Sequence, residues 1–401
     1  MKKESSIYLL FILFLFHQIA ANIAHPITPL FVTSQNIESY MFGVFFAAMA
    51  LGLTVGGLFF GFLGDQYQKK YMIMIGYTLY AIGQLGFGYA SNQYVMVAFR
   101  FVSGFGASAT ITLMTAQVVA SSSKENRTKF LGYLAAAMTL GSSMGYYLGG
   151  QLGSNETLVR LLNTDELSHI FLIQALMNII LALIIYKVFN YKQTIDQSKK
   201  SNFIVALKSI SSLKLPLILF LISLTLFSMG RINTEKYLDV YFNDLGYTTG
   251  DIGTFVMLTG IISLITSIFV VPLVNKIRFK LVLIMTLHLL AGLIIFYVFR
   301  ANNFIVIVYT LYMLYIVIRT LYQPLEQAYI ANHAEQGQYS LIMGIRQAFY
   351  SLGMIIGPLV GGLIYQEKPI YLFDSSAALF LMSALILVTI MLIQKKKMKS
   401  V

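Results

Sequence analysis

Apolar residues in this chain come in blocks of about 20, the length a helix needs to cross the hydrocarbon core of a bilayer. Twelve such runs fall at 7–32, 40–63, 71–90, 94–119, 128–152, 167–189, 215–241, 251–274, 280–299, 304–330, 339–365 and 371–393, here called spans 1 to 12. The connections are as short as those of helix hairpins, with one exception. The stretch from Asn190 to Lys214 is polar, rich in Ser and Lys, and central. The pattern predicts an all-α integral membrane protein of twelve transmembrane helices in two six-helix, pseudo-symmetric halves, 1–189 and 215–401. A cytoplasmic linker at 190–214 joins them.

A glycine repeat supports the two halves. Gly132, Gly141, Gly145, Gly149 and Gly150 recur 212 residues later as Gly344, Gly353, Gly357, Gly361 and Gly362. Glycine lets two helix backbones approach closely in a membrane, so one packed helix pair is expected to recur in each half. Internal repeats of this kind are the hallmark of many transporters.

Composition agrees on the solvent. Hydrophobic residues make up 57%, charged residues only 11%, and mean hydropathy is +0.74, whereas a soluble domain is roughly a quarter charged. The chain has no cysteine, which excludes a disulfide framework, thiol catalysis and thiolate metal sites. The net charge of +12 is topological. With a cytoplasmic N-terminus, twenty Lys and Arg fall on the cytoplasmic side and three (Arg160, Arg300 and Lys368) on the other, a strong positive-inside bias. Nucleic acid is therefore not the expected partner. Lys2 and Lys3 before an apolar run imitate a secretory signal, but the run continues past His17 to Val32 and another span follows, which favours an uncleaved first helix. An even number of spans puts both termini in the cytoplasm. The absence of tryptophan, the abundance of Lys, Asn and Ile, and the short loops suit a bacterial plasma membrane.

Three motifs resemble those of the major facilitator superfamily, and most closely its twelve-span drug–proton antiporters. The loop after span 2 reads Gly61-Phe-Leu63-Gly64-Asp65-Gln66-Tyr67-Gln68-Lys69-Lys70. Gly61, Leu63, Gly64, Asp65, Lys69 and Lys70 match the family's loop, while Gln66 and Gln68 stand for its usual Arg and Gly. The resemblance implies a cytoplasmic latch whose acid lies near the start of span 11, where the helix end favours a negative charge. An ordinary acid-and-lysine surface turn is the alternative. Arg100-Phe-Val-Ser103-Gly104-Phe-Gly106-Ala107 in span 4 resembles the family's buried-arginine motif. A guanidinium in a bilayer needs a water-filled cavity or an acidic partner, unless Arg100 snorkels to the nearby outer surface. Gly104-x-Gly106-x-x-Ala109 also imitates a dinucleotide fingerprint, but lacks its βαβ context. The ladder in span 5 matches the family's antiporter motif except for Tyr146, which stands at its proline; span 11 carries the full form with Pro358.

Polar residues inside spans are expected to face a cavity. Gln18, Asn22 and His25 in span 1, and Arg319, Gln323 and Glu326 in span 10, share a four-and-three spacing that places each trio on one helix face. In the family both helices line the cavity. Glu326 is the only carboxylate deep in an apolar span, and beside Arg319 it can load and release a proton or form a static ion pair. Arg231, Glu235 and Asp239, four apart near the outer end of span 7, suggest an exposed intrahelical ladder, or else an outer gate. Family antiporters often place an acid in span 1 or span 4. None occurs here, which argues against a strongly cationic substrate and leaves His17 and His25 as the titratable residues of span 1. A histidine can titrate near neutral pH, or it can remain a neutral hydrogen-bonding group. Tyr237 and Tyr322, with Tyr241, Tyr312 and Tyr315, are aromatic candidates for the cavity wall.

The resemblance implies alternating access about a midplane site between spans 1, 4, 7 and 10, with spans 5 and 11 sliding on partners in the opposite half. The expected function is proton-coupled export of small lipophilic compounds or drugs. A sugar or metabolite transporter, or a lipid flippase, would suit the same architecture. Proton coupling would fall to Glu326, Arg319, His25 and Arg100, and substrate contact to Gln18, Asn22, Gln323, Tyr237 and Tyr322. No metal and no cofactor are expected beyond the proton gradient, and the protein is expected to act as a monomer. No metalloprotease or nucleophile-elbow motif and no cluster of histidines points to an enzyme.

Overall fold

The computed structural model describes residues 2–122, 126–188, 214–274, 277, 279–332 and 339–399. The predicted linker therefore lies outside the described residues, apart from Lys214. Each of the twelve apolar runs falls on helix, and no strand occurs among the described residues. Nine helices among the described residues are long and apolar enough to cross a membrane by length and composition alone. Spans 1, 3 and 5 are not among them. The helix of span 3, Lys69–Tyr89, has its hydropathy diluted by Gly76, Tyr77, Tyr80, Gly83 and Gln84, and buries all five. Span 1 is divided into helices Lys2–Asn22 and Thr28–Ser34 by a turn over 23–27. Pro26 and Pro29 account for the break, since proline removes an N–H donor and disfavours helix at the residue before it. Span 10 is likewise a short helix, Phe304–Val308, followed by a long one, Leu311–Asn332. An additional surface helix, Glu156–Leu162, capped by Asn155, precedes span 6.

By internal contacts the chain forms two compact units. The first holds spans 1 to 6 with residues 239–261, and the second holds the earlier part of span 7 with residues 262–401. In the first unit, small residues bring spans 2, 3 and 4 into backbone contact. A Cβ on Gly104 would overlap the Met49 carbonyl, and one on Gly106 would approach the Gly76 carbonyl to 2.6 Å. Those two glycines thus serve helix packing, which explains the imitation of a nucleotide fingerprint. Gln174 of span 6 (Ser168–Val188) fastens the end of the first helix, its Nε2 donating to the carbonyls of Ala20 (3.1 Å) and Ala21 (2.7 Å). The Tyr80 hydroxyl donates to the Ala21 carbonyl as well (2.6 Å). Residues 239–261 join this unit through span 5 (Arg127–Ser154): the Thr249 hydroxyl donates to the Gly150 carbonyl at 3.0 Å.

The glycine ladder packs each span 5-type helix on a helix of its own half. Gly141, Gly145 and Gly149 lie against Leu15, Ile19 and Ile23 of span 1. Their repeats Gly353, Gly357 and Gly361 lie against Thr225, Met229 and Asn233 of span 7 (Leu215–Asp244). Among the ladder glycines whose neighbours are described, Gly150 faces the other half of the sequence, its added Cβ meeting Thr249 at the start of the span 8 helix (Thr249–Ile265). Gly132 and Gly344 are not close-packing positions, because a Cβ there meets nothing within 4 Å.

In the second unit, buried polar contacts tie spans 7, 9 and 12. Ser223 and Ser383 share a hydrogen bond of 2.7 Å, and Ser383 contacts His288 Nδ1 at 2.8 Å. The His288 ring stacks on Phe227 with centroids 4.2 Å apart.

Candidate functional site

Charged side chains gather on the second unit's part of span 7, on span 10 and on span 11. Glu235 accepts from Arg231 Nε, one turn earlier, and from Arg319 Nη1 of span 10, both at 2.8 Å. Arg319 Nη2 also reaches Ser263 Oγ of span 8 (3.4 Å). Arg231 and Glu235 therefore form the intrahelical pair that their spacing suggests, but not an exposed one. Their side chains are 19% and 17% exposed, and Glu235 is the hub of a contact between helices. A charged group taken from water is stable only when paired and hydrogen-bonded, which is why the ladder turns inward.

Glu326 is 0% exposed and is held by Arg346, about two turns into the helix of span 11 (Tyr339–Glu367). Arg346 Nε donates to Glu326 Oε1 at 2.8 Å, Nη2 donates to the same oxygen, and Nη1 donates to Gln347 Oε1 (3.0 Å). Glu326 Oε2 is buried without a hydrogen-bond partner among the described residues. The sequence pairing of Glu326 with Arg319 is corrected here. Seven residues of helix separate those two by about 10 Å along the axis, and each finds a partner on a neighbouring helix instead. Arg346 and Arg231 both sit over the Tyr350 ring, at 4.9 and 5.9 Å from its centroid.

Two of the tyrosines expected at the cavity wall, Tyr237 and Tyr322, are buried in helix packing. Tyr237 is fully buried, donates to the Pro358 carbonyl (3.3 Å) and lies against Tyr365. Tyr322 fills the space beside Phe227 and His288. Gln323 is exposed.

In the first unit, Arg100 is 4% exposed and does not snorkel. Its guanidinium lies 3.7 Å from the Phe87 ring centroid, and Nη2 donates to Thr28 Oγ1 (3.3 Å). Cation–π contact and a hydroxyl stand where a carboxylate partner was sought. Asn22 donates to the Gln18 carbonyl (2.7 Å) and to Ser142 Oγ of span 5 (3.3 Å). His25 lies beyond the helix that carries Gln18 and Asn22, in the turn before Pro26, so the three do not share a helix face. Its ring stacks on Tyr146 with centroids 5.6 Å apart, and the Tyr146 hydroxyl donates to Asp239 Oδ2 at 3.1 Å. The residue that departs from the antiporter motif thus tethers the outer acid of span 7. Neither that tether nor the role of Arg346 was assigned from sequence; Tyr146 as the single departure in a repeated motif was the available signal.

At the predicted latch, the helix Tyr40–Gln66 ends at the motif and Lys69 opens the next helix. The Lys70 ammonium lies 4.5 Å from the Tyr186 ring centroid. A Cβ on Gly61 would make only ordinary contact, 3.8 Å from Thr112. The Asp65 side chain lies outside the described residues.

Comparison with known proteins bears on this arrangement. The sequence pattern of the Major Facilitator Superfamily matches residues 10–318. Multidrug resistance protein 2 of Bacillus subtilis (strain 168) is 24% identical over 354 residues, 87% of this chain and 86% of that protein. Quinolone resistance protein NorA of Staphylococcus aureus (strain MSSA476) is 23% identical over 356 residues, 86% and 87% of the two chains. Solved structures share the fold, among them these two. A bacterial homologue of the human lysosomal transporter Spinster, inward-facing and unoccupied, superposes with a TM-score of 0.72 at 10% identity, over 97% of this chain and 95% of that one. A D-xylose–proton symporter gives 0.72 at 15% identity, over 95% and 96%.

Proposed function

The chain belongs to the Major Facilitator Superfamily, and we propose that within it this protein is a proton-coupled exporter of small lipophilic compounds. Membership makes it a multi-pass membrane transporter of small molecules, not an enzyme. The observation that carries the finer reading is Glu326. It is a fully buried carboxyl with one oxygen held by Arg346 and the other without a hydrogen-bond partner among the described residues, an acid kept ready for a proton inside a transport protein. The names of two relatives, a multidrug and a quinolone resistance protein, each aligned over more than four-fifths of this chain, support export of drug-like compounds.

Alternating access would join the two similar halves of the chain, 1–189 and 215–401, through the linker at 190–214. Loading Glu326 biases one state over the other only if the two states hold the proton with different affinity. Arg346 can provide that difference, because a guanidinium that approaches or withdraws changes the stability of the carboxylate beside it. Arg319 serves a second pair with Glu235. Arg100 and His25 in the first unit remain candidates for proton or substrate contact, as do Gln18 and Asn22. Asp65, Lys69 and Lys70 would form the cytoplasmic latch. The protein would act as a monomer in the plasma membrane of a bacterium, with both termini in the cytoplasm.

Liposomes containing the purified protein, an imposed proton gradient and a panel of lipophilic dyes and sugars test this reading. Dye accumulation that a protonophore collapses is the expected result. Movement of a sugar, with no response to any dye, would replace the substrate class.

A further inference from the structure

Charge and hydrogen-bond accounting in the second unit leaves donors and positive charge in excess. Three guanidiniums, of Arg231, Arg319 and Arg346, meet two carboxylates, of Glu235 and Glu326. Lys236, on the same part of span 7, adds a further positive charge beside Glu235. Arg346 is occupied by Glu326 and Gln347, and Arg319 by Glu235 and Ser263. Arg231 donates through Nε alone, and its two terminal amino groups have no hydrogen-bond partner among the described residues. The Arg231 side chain keeps 19% of its surface exposed. The Tyr315 hydroxyl, one turn before Arg319 on the same face of span 10, is buried with no hydrogen-bond partner among the described residues. The first unit points the same way independently. Among the described residues, Arg100 has Thr28 and Phe87 as neighbours and no carboxylate.

A cationic compound entering this cluster meets an uncompensated positive charge where low dielectric strengthens repulsion. A neutral carbonyl compound can accept from Arg231 but leaves its charge uncompensated. A carboxylate or sulfonate satisfies both conditions, since its two oxygens match the fork of a guanidinium. The half-buried Tyr350 ring beneath Arg231 and Arg346 offers an apolar surface beside the charge.

We propose that Arg231, supported by Arg319, binds the anionic head of the transported compound, so that the substrate class is lipophilic anions, an apolar body bearing one carboxylate or sulfonate. This rests on the reading that the protein transports small lipophilic compounds. Export of such an anion runs down an inside-negative membrane potential, in keeping with that direction.

Isothermal titration calorimetry on the full chain in detergent, with empty micelles subtracted, tests the site using three probes of one shape: 2-naphthoate, 2-naphthamide and 2-naphthylmethylammonium. The expected result is that naphthoate binds at least tenfold tighter than the other two. Arg231→Gln should lose about that factor, and Arg231→Lys should restore part of it. If Arg231→Gln elutes as an aggregate, the three-probe comparison on the unaltered chain decides alone. Tighter or equal binding of the amide or ammonium, no binding of naphthoate at millimolar concentration, or an unchanged preference in folded Arg231→Gln overturns the proposal. Glu326→Gln should keep the naphthoate preference. A protein that prefers naphthoate but shows no proton-coupled flux retains this site and loses the coupling assignment, and the reverse retains the coupling and loses the site.

Discussion

Glu326 and Arg346 pair across spans 10 and 11, twenty residues apart in sequence and with the carboxyl fully buried. Removing one partner of such a pair leaves the other charge uncompensated, which typically costs about 3–5 kcal/mol, whereas replacing both is far milder. Arg346→Gln alone should therefore lower the thermal midpoint of the detergent-solubilised protein more than the double variant Glu326→Gln/Arg346→Gln does. Additive losses in a double-mutant cycle would mean that the two groups do not interact.

The contacts of the glycine ladder separate positions that look alike. Gly149 faces the Ile23 carbonyl and Gly132 faces open space. Gly149→Ala forces two backbones apart, and overpacking of this kind costs about 1–3 kcal/mol. Gly132→Ala should be neutral or slightly stabilising. Comparing the fraction of each variant that elutes as a single monodisperse peak checks both, and equal behaviour would show that the ladder's contacts are misassigned.

Tyr146 allows a cleaner substitution. Tyr146→Phe keeps an aromatic ring to stack on His25 and deletes the hydroxyl that donates to Asp239. Loss of one hydrogen bond to a charged group costs about 1.5–3 kcal/mol. Asp239→Asn should lose less than Tyr146→Phe, because the amide oxygen still accepts. A larger loss in Asp239→Asn, read as thermal midpoints, would assign the interaction to another partner of Asp239.

Arg300 and Asp374 supply a contrast. They form an ion pair between the turn after span 9 and span 12, with side chains 37% and 28% exposed. Solvent-accessible pairs contribute about 0–1 kcal/mol, so Arg300→Gln should leave thermal midpoint and transport nearly unchanged.

How much was legible in the sequence follows from the range of each interaction. The twelve spans were readable because the bilayer imposes one length on every crossing, and the ladder was readable because the repeat preserves spacing. What the ladder touches was not, since Gly132 and Gly149 are the same residue type and only the neighbouring helix distinguishes them. The acid at 326 was visible as a lone carboxyl in an apolar run, but its partner was not. Arg319 lies closer along the chain yet two helical turns away, while Arg346 arrives from another helix. Tyr237 looked like a cavity residue for the same reason, and the carbonyl of Pro358 that satisfies it is 121 residues distant.

The most direct test of the account is proton flux through Glu326. Liposomes loaded with a pH-sensitive dye and carrying the unaltered protein or Glu326→Gln would be placed under a proton gradient, and a lipophilic substrate identified by the transport panel would be added. The account predicts a substrate-triggered pH change in the first and none in the second, with both proteins inserted to the same extent. A pH change of equal size in Glu326→Gln would contradict it and move the proton to another group.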